Sequence, residues 1–369
     1  MTEWIECTLD KLGEIVGGAT PSTKCEDYYG GSIPWITPKD LSSFKGRYIT
    51  SGERNITEKG LASCSAQMMP KDAVLFTSRA PIGYVAIASQ SVCTNQGFKS
   101  IVVNEKADPL FVYYLLKYNK DAIEAMGSGT TFKEVSGKTM RAVKVRIPLD
   151  VSYQKRIAAV LDSLDTKIEN NERINDNLLA QAQTLYKQFF PYGVQDDLPD
   201  GWRIGTVGEI IEIHDSKRIP LSGADRSKME KKIYPYYGAA SLMDLVDNYI
   251  FDGKYLLLGE DGTVVDDAGY PILQYVWGQF WVNNHAHILT GRLGYDVESL
   301  YMLFKQTPVK SIVTGAVQPK ISQANLRSVQ VVIPPEHNLR EYNDLVEPLF
   351  SLFRANEEEC KNLTALRDT

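Results

Sequence analysis

The chain contains one segment twice. Residues 129–148 read GTTFKEVSGKTMRAVKVRIP, and residues 315–334 read GAVQPKISQANLRSVQVVIP. A repeat constrains the fold more than any single residue, because both copies must adopt related structures. The duplication therefore predicts a pseudo-symmetric molecule with two related sites. The identical pairs are Gly129/Gly315, Ser136/Ser322, Arg141/Arg327, Val143/Val329, Val145/Val331, Ile147/Ile333 and Pro148/Pro334.

Weaker landmarks extend this repeat over the chain. They recur in the same order as Trp4 and Trp202, Thr8 and Thr206, Tyr113 and Tyr301, Leu115 and Leu303, and Lys117 and Lys305. Each copy is thus a globular block of roughly 150 residues, a common domain size, followed by a helix. Between the landmarks the two blocks differ almost everywhere. Blocks that share their terminal segments but differ in the sequence between them indicate one scaffold with two different binding specificities.

A heptad pattern follows each copy. Apolar and asparagine positions alternate in steps of four and three residues, which is typical of helices that supercoil around a partner. At a rise of 1.5 Å per residue, about 35 residues form a rod of roughly 50 Å. Pro191 is expected to end the first helix. The predicted seam comprises Ile157, Leu161, Leu164, Ile168, Asn171, Asn175, Leu178, Ala182 and Leu185, and then Tyr342, Val346, Leu349, Phe353, Asn356, Cys360 and Leu363.

Asparagines occupy the same seam position in both helices, as Asn171 and Asn356. A buried asparagine in an apolar seam costs stability but fixes register and orientation. The alternative is an asparagine that faces solvent on a curved helix. We favour buried, paired asparagines, and pseudo-twofold helices of this kind can pack antiparallel.

These patterns predict an α+β fold with two pseudo-symmetric globular α/β domains and two long helices that form an antiparallel coiled coil. The first domain is expected at 1–150 and its helix at 151–190. The second domain is expected at 191–335 and its helix at 336–369.

The charge distribution argues against simple nucleic-acid binding. The chain has a net charge of −6. Residues 1–150 carry 18 Lys/Arg and 16 Asp/Glu, whereas residues 191–335 carry 13 and 17, and residues 336–369 carry 4 and 8. Neither block is basic overall, so DNA binding would require local patches or a basic partner.

The cysteines and the apolar runs indicate the compartment. The five cysteines are scattered and include no C-x-x-C pair, so neither a zinc site nor a disulfide framework is supported. No apolar run is long enough to span a bilayer, and the N-terminus lacks the pattern of a signal peptide. We therefore expect a cytoplasmic protein with free thiols.

The duplicated V-x-V-x-I-P segments, each followed by a heptad helix with an Asn-Glu step, resemble the specificity subunit of type I restriction–modification systems. The W-x-x-x-T opening of each half and the block from Tyr234 to Leu289 support the resemblance, which covers the full length. It implies two target recognition domains alternating with two long helices. Each domain would read one half of a split double-stranded DNA target, and the helices would set the gap.

The same resemblance implies the partners and the division of labour. The helices would also carry the methyltransferase (modification) subunits, two of them, and restriction/translocase subunits would join the complex. The chain itself would be non-catalytic. Adenosylmethionine, ATP and Mg²⁺ would bind to the partner subunits, and this chain would hold no cofactor.

Two regions of the first block are candidate DNA contacts. The apolar run at 73–76 is followed by a segment, 77–84, with the Gly and Pro content of an exposed loop. In it, Arg79 could pair with guanine, and Ser78 and Tyr84 lie beside it. Lys39, Lys45, Arg47 and Arg54 cluster in a polar region and suit phosphate contacts. A structural turn and a solvated charged face remain alternatives.

The second block has an acidic loop where the first has Arg79. Glu260 and Asp261 could accept a hydrogen bond from a cytosine amine. Tyr237 is a candidate at a reading edge, or alternatively the end of a core strand. Further candidates are the cations Lys217, Arg218, Lys231 and Lys232, which suit phosphate contacts, and His285.

His285 and His287 alternate along the chain and could form a pair of metal ligands. No third ligand can be named, and the first copy has Gln96 and Phe98 instead. We therefore expect structural or DNA-facing histidines and no metal site.

Two other classes of function are weaker. The chain has no Asn/Asp-Pro-Pro-Tyr/Phe tetrapeptide, no glycine-rich cofactor loop and no phosphate-binding loop, which argues against a methyltransferase or an ATPase. A nuclease could use Asp200 with Glu230 and Lys231, but Asp200 is better explained by a turn. A coiled-coil scaffold that joins two proteins without DNA would explain the heptads and the acidity, but not the divergent middles.

Overall fold

The computed structural model describes residues 3–79, 81–129, 133–315 and 317–369. Four residues of the duplicated segments, 130–132 and 316, and Ala80 in the 77–84 loop lie outside the described residues. The chain divides into two compact units, Met1–Asn170 with Lys361–Thr369, and Asn171–Cys360. Within the described part, no helix combines the length and the apolar character needed to cross a bilayer.

The first unit contains ten described strands and five short helices, followed by the start of a long helix. The strands are β1 (Trp4–Thr8), β2 (Gly13–Gly17), β3 (Tyr29–Ile36), β4 (Tyr48–Ile49), β5 (Asn55–Ile56), β6 (Val74–Ser78), β7 (Ile82–Ala88), β8 (Cys93–Thr94), β9 (Lys99–Val103) and β10 (Lys144–Pro148). The helices are α1 (Pro38–Ser42), α2 (Glu58–Ala62), α3 (Pro109–Tyr118), α4 (Lys120–Ala125), α5 (Gly137–Ala142) and α6 (Val151–Phe189). Short 3-10 turns lie at Leu9–Lys11 and Glu26–Tyr28.

The described strands of this unit form a five-stranded sheet in the order β2-β9-β6-β7-β4, a three-stranded sheet β5-β3-β8 and an antiparallel pair β1-β10. Helix α3 is apolar on most sides and is buried against the large sheet. The core between them includes Phe76, Phe111, Leu116 and Ile101. Ala158 of α6 belongs to the same cluster, so the first turns of the long helix complete the core of this unit.

The second unit repeats this plan. Its strands are β11 (Arg203–Thr206), β12 (Ile211–Ile213), β13 (Tyr234–Tyr237), β14 (Leu242–Val246), β15 (Phe251–Asp252), β16 (Tyr255–Gly259), β17 (Leu273–Val276), β18 (Gln279–Val282), β19 (Ala286–Gly291) and β20 (Gln330–Ile333). Its helices are α7 (Val207–Ile210), α8 (Gly223–Ser227), α9 (Val297–Phe304), α10 (Gln323–Arg327) and most of α11 (Glu336–Asp368), with 3-10 turns at Asp215–Lys217 and Lys310–Ile312.

Sheet order reproduces the duplication. The pair β11-β20 corresponds to β1-β10, and the sheet β12-β19-β16-β17 corresponds to β2-β9-β6-β7. A further sheet, β14-β13-β18-β15, contains the parallel pair β13-β18. The sheet β5-β3-β8 of the first unit likewise contains the parallel pair β3-β8. The larger core cluster joins this domain to residues of α6 and α11, including Ala182 and Tyr342. The prediction of two related α/β domains with long helices is confirmed.

Backbone conformation and helix capping explain why the two copies share certain residues. Gly129 and Gly315 adopt φ values of 134° and 88°, in the region that side chains disfavour. The hydroxyls of Ser136 and Ser322 cap α5 and α10 by accepting from the backbone amides of Thr139 and Asn325. These residues therefore serve the scaffold.

The duplicated V-x-V-x-I-P segments form β10 and β20. In each segment the second Val and the Ile are buried, and the strand pairs antiparallel with the opening strand of the same copy. The alternating pattern is thus the buried face of a two-stranded ribbon that begins and ends each domain. Helices α6 and α11 follow directly.

Within the second unit, α6 and α11 pack antiparallel. The Tyr342 hydroxyl donates to the Ala182 carbonyl at 3.1 Å, and Asn175 donates to the Phe353 carbonyl at 3.2 Å. The later residue of α6 thus contacts the earlier residue of α11, which is the pattern of antiparallel helices. Tyr342 is fully buried and packs edge-on against Tyr186 at 5.3 Å. This confirms the predicted antiparallel arrangement.

Two polar layers lie in the packed seam. The side chain of Asn356 donates to Asn175 at 2.9 Å, and Asn171 hydrogen-bonds the Cys360 thiol. Since Asn171 aligns with Asn356 and Asn175 aligns with Cys360, the two contacts are pseudo-symmetric copies. Asn171 and Asn356 are both buried, as expected, but each pairs with the residue one turn along the other helix. Asn171 also donates to Glu359 at 2.7 Å.

Other seam positions have mixed surroundings. Ile157 and Leu161 are half-buried and pack against the core of the first domain, because the domain covers these first turns of α6. Leu178 and Val346 are buried, while Leu349 packs at the edge of the second core. Leu164, Ile168, Phe353 and Leu363 are half-buried.

We expect Tyr342→Ala to lower the free energy of unfolding by about 3–5 kcal/mol, because it removes a fully buried ring and leaves a cavity. Tyr342→Phe keeps the ring and is expected to cost about 1 kcal/mol for the lost hydrogen bond. Urea unfolding followed by circular dichroism measures both. Equal losses for the two variants would contradict the packing described for this residue.

Candidate nucleic-acid interface

A groove on the first domain presents two of the predicted cations. Pro38 and the capping box between Thr37 and Asp40 start α1, which places Lys39 at its first turn. The Lys39 side chain is 79% exposed and lies 2.8 Å from the Glu53 carboxylate. Arg54 is exposed and stacks over the Tyr29 ring at 4.9 Å. The groove has a volume of about 530 Å³ and is lined by Trp35, Thr37, Lys39, Asp40, Glu53 and Arg54.

Lys45 is exposed, but Arg47 is not available at the surface. The Arg47 side chain is 9% exposed and forms ion pairs of 2.8 Å with Asp162 and with Glu169 of α6. It also donates to the Thr166 hydroxyl at 2.8 Å. Its charge is therefore compensated inside the unit, and its contacts attach the domain to the helix.

Most described residues of the 77–84 segment belong to strands, because Thr77 and Ser78 end β6 and residues 82–84 begin β7. Ser78 is fully buried and its hydroxyl donates to the Gly97 carbonyl at 3.2 Å, because β6 continues to this residue. Tyr84 is half-buried against the core of the sheet. The Arg79 side chain is 34% exposed and lies 3.6 Å from Glu134. Arg79 and Tyr84 are therefore both partly exposed, whereas Ser78 is not.

A buried charge cluster underlies the second domain's acidic loop. Arg218 is 13% exposed and pairs with Glu260 at 2.6 Å and with Asp215 at 3.4 Å. It also donates to the Ala286 carbonyl at 2.8 Å. Arg218 and Glu260 thus connect the 3-10 turn at 215–217 with the ends of β16 and β19. They face inward rather than toward a ligand.

His287 is fully buried at the centre of this cluster. Its Nδ1 lies 2.6 Å from the Asp215 carboxylate and its Nε2 lies 2.8 Å from the Ile321 carbonyl. Gln323 donates to Asp215 at 2.6 Å. Burial alone would raise the pKa of Asp215, but the hydrogen bond and charge of His287, with the Ile288 amide and Arg218, hold it below its ordinary value.

The ligand atoms of Asp215, Glu260 and His287 lie within 4.8 Å of one another, as metal ligands do. The carboxylates, however, already contact protein cations and donors. Arg218 contacts both, and Lys320 lies 3.1 Å from Glu260. These contacts favour a structural charge cluster. His285 is directed elsewhere: its Nδ1 lies 2.5 Å from Asp261.

The remaining candidates of the second domain differ in exposure. Lys217, Lys231 and His285 are accessible, the last with 44% of its side chain exposed. Asp261 is 18% exposed beside it. Lys232 is half-buried and lies 3.4 Å from Asp244.

Tyr237 is half-buried, with its ring 5.8 Å from that of Phe280. Burial raises the pKa of its hydroxyl. It lies at the end of β13, where the ladder with β14 shifts register. Tyr237 thus lies at the end of a core strand, and its part in a reading edge stays a prediction.

Sequence reasoning missed Asp215, Gln323 and Lys320 as parts of the cluster under the acidic loop. They lie far apart along the chain, and no spacing rule links them to Glu260. Trp35, which lines the groove of the first domain, did carry a signal, since Pro34-Trp35 recurs in the second copy as Pro235-Tyr236.

Comparison with known proteins identifies the family. The description "Type I restriction modification DNA specificity domain" matches residues 1–180 and 199–363. The chain is 30% identical to the type I restriction enzyme MjaIX specificity subunit of Methanocaldococcus jannaschii, over 99% of this chain and 91% of that protein. It is 28% identical to the EcoR124I/EcoR124II specificity subunit of Escherichia coli, over 50% of this chain and 46% of that protein.

A solved structure has the same fold. The S subunit of a type I restriction–modification system from M. genitalium superimposes with a TM-score of 0.60 at 17% identity, covering all of this chain and 94% of that one. The chain therefore belongs to the family of type I restriction–modification DNA specificity subunits. Subunits of this family are non-catalytic, and the cofactors reside on the modification and restriction subunits.

The charge cluster makes a pH-dependent contribution to stability. The pKa values of Asp215 and Glu260 lie below their ordinary values of 3.8 and 4.5. A lowered folded-state pKa means that the stabilisation is present above the ordinary value and is lost as the pH falls through the folded-state value. We expect Asp215→Asn to lower the free energy of unfolding by about 1–3 kcal/mol at pH 7.

This deficit relative to the wild type is expected to shrink as the pH falls below about 4. Urea unfolding of both proteins between pH 3 and pH 7 measures it. A deficit that stays constant over this range would show that the carboxylate charge of Asp215 does not stabilise the cluster.

Proposed function

We propose that each globular domain reads one half of a split DNA target and that α6 and α11 set the gap between the halves. The observation that carries this proposal is the division of the repeat. The copies share the ribbon, the capped helix, the long helix and the order of most strands, while the sequences of the sheets and loops between these landmarks differ. A common scaffold with two different faces suits a protein that presents two distinct readers.

The accessible cations are the proposed phosphate contacts. In the first domain these are Lys39, Lys45 and Arg54, with Arg79 as a candidate for a base edge. In the second domain they are Lys217 and Lys231, with His285 and Asp261 as candidates for base edges. Arg47, Ser78, Arg218 and Glu260 are left out because their side chains are buried or paired inside the domains. Lys232, Tyr84 and Tyr237 are secondary candidates, because Lys232 pairs with Asp244 and the two tyrosines pack against core clusters.

The long helices are the proposed dock for the modification subunits. Exposed apolar side chains recur at one heptad position outside the seam, as Val160 and Ile174 on α6 and as Leu345, Leu352 and Leu366 on α11. Val160 and Leu345 occupy equivalent positions in the repeat. Two equivalent surfaces suit two copies of one partner, so we propose two modification subunits, joined by restriction/translocase subunits in the cytoplasm.

Salt-dependent DNA binding by the complex with its modification subunits tests the DNA surface. We expect the binding constant for a split target to fall steeply with salt, and Lys217→Ala with Lys231→Ala to reduce the slope by about 2, because two phosphate contacts are lost. The control is Arg292→Ala. It removes an exposed cation that directly follows β19, and it should leave the slope unchanged. A complex that binds no DNA would instead support the protein-joining scaffold.

A longer α6 tests the role of the helices. Four residues inserted between positions 165 and 175 add about 6 Å of helix, which should lengthen the gap by one or two base pairs and leave both half-sites unchanged. The modified sites are mapped by sequencing. Four residues inserted at Asp267, in the turn before β17, are the control and should change nothing. An unchanged gap in the helix variant would refute the spacing role.

A further inference from the structure

At two equivalent positions of α6 and α11, charged side chains form ion pairs with the globular domain of the same unit. In the repeat, Asp162 of α6 corresponds to Glu347 of α11, and Glu169 corresponds to Arg354. The two positions are seven residues apart, about two turns, and so lie on one face of the helix. One position is acidic in both helices, whereas the other has opposite charge in the two helices.

In the first unit this face holds a cation of the domain. Arg47 inserts between Asp162 and Glu169, with ion pairs of 2.8 Å to each. Because the Arg47 side chain is only 9% exposed, its charge is balanced by these two carboxylates rather than by solvent. A residue of opposite charge at position 169 would face a buried guanidinium.

In the second unit the same face holds an anion of the domain. Glu298 of α9 is fully buried, and its Oε1 accepts from Lys254 at 2.7 Å, from Tyr275 at 2.7 Å and from Arg354 at 3.1 Å. Arg354 also donates to Glu347 at 2.7 Å, and Glu347 lies 3.4 Å from Lys254. Arg354 thus links the buried carboxylate of the domain to its own helix.

Exchange of the domains would oppose like charges in both units. The first domain on α11 would place Arg47 against Arg354, and the second domain on α6 would place Glu298 against Glu169. Arg47 would keep one carboxylate, Glu347, and Glu298 would keep Lys254, but a like charge beside a buried ionised group is destabilising because water screens it poorly. The charge at this one helix position therefore distinguishes the two domains.

We propose that Glu169 and Arg354 are positioning residues that match each recognition domain to its own helix and fix the domain's orientation on it. The domain with the inward cation fits the helix with Glu169 better than the helix with Arg354, and the reverse holds for the domain with the inward carboxylate. The claim that these residues fix the domain's orientation for DNA reading rests on the proposed function. The claim that they match each domain to its own helix does not rest on it, so each claim can fail without the other.

A chain with the first domain duplicated tests the matching. In it, a copy of residues 4–148 replaces residues 202–334, which puts a second Arg47 against α11. We expect Arg354→Glu to lower the urea midpoint of the natural chain by about 1 M, because Glu298 then faces a second carboxylate. In the duplicated chain the same substitution should raise the midpoint. Glu341→Arg, at an exposed position of α11, is the matched control and should have a small effect in both.

An effect of Arg354→Glu with the same sign in both chains, or one as small as the control, would overturn the proposal. If the duplicated chain is not recovered folded, a double-mutant cycle in the natural chain decides. Glu298→Gln removes the buried charge, so it should relieve most of the loss caused by Arg354→Glu. Additive losses would overturn the matching.

DNA binding by the complex tests the orientation. We expect Arg354→Gln to reduce the preference for the natural gap over a gap one base pair longer by about tenfold, the scale of one mismatched base pair. An equal loss of binding to both gaps would overturn the positioning role. A natural complex that binds no split target would refute the proposed function and leave the stability result standing.

Discussion

The antiparallel packing of α6 against α11 is the contact on which the rest of the second unit depends. Its asparagine layers set the register, because Asn175 pairs with Asn356 while Asn171 pairs with Cys360. A shift of either helix by one turn would leave these buried polar groups unpaired, which costs more than the hydrogen bonds contribute. Tyr342 then joins the packed helices to the core of the domain.

The duplicated elements could be predicted from sequence because their patterns are local. Ser136 and Ser322 cap helices, and the alternating valines of β10 and β20 form one buried strand face. Heptad spacing likewise predicts long helices, and Val151–Phe189 and Glu336–Asp368 are helical. The division of the domains at particular residues stays a prediction, and so do the individual DNA contacts.

The candidate site was harder to predict because charge alone does not reveal exposure. Arg47 and Lys45 look alike in sequence, yet Arg47 is buried between two carboxylates more than 110 residues away. From sequence alone, Arg218 and Glu260 were plausible DNA contacts, but in the fold they form an ion pair with each other. Long-range pairing of this kind depends on the whole topology. The sequence pattern therefore locates the scaffold well and the reading surface poorly.

The central claim is that two fixed readers recognise one split target. Sequencing the methylated bases in a host that carries this chain with its modification and restriction partners tests it most directly. The account predicts two short, different motifs separated by a gap of constant length. A single continuous motif, or two motifs at variable spacing, would contradict it.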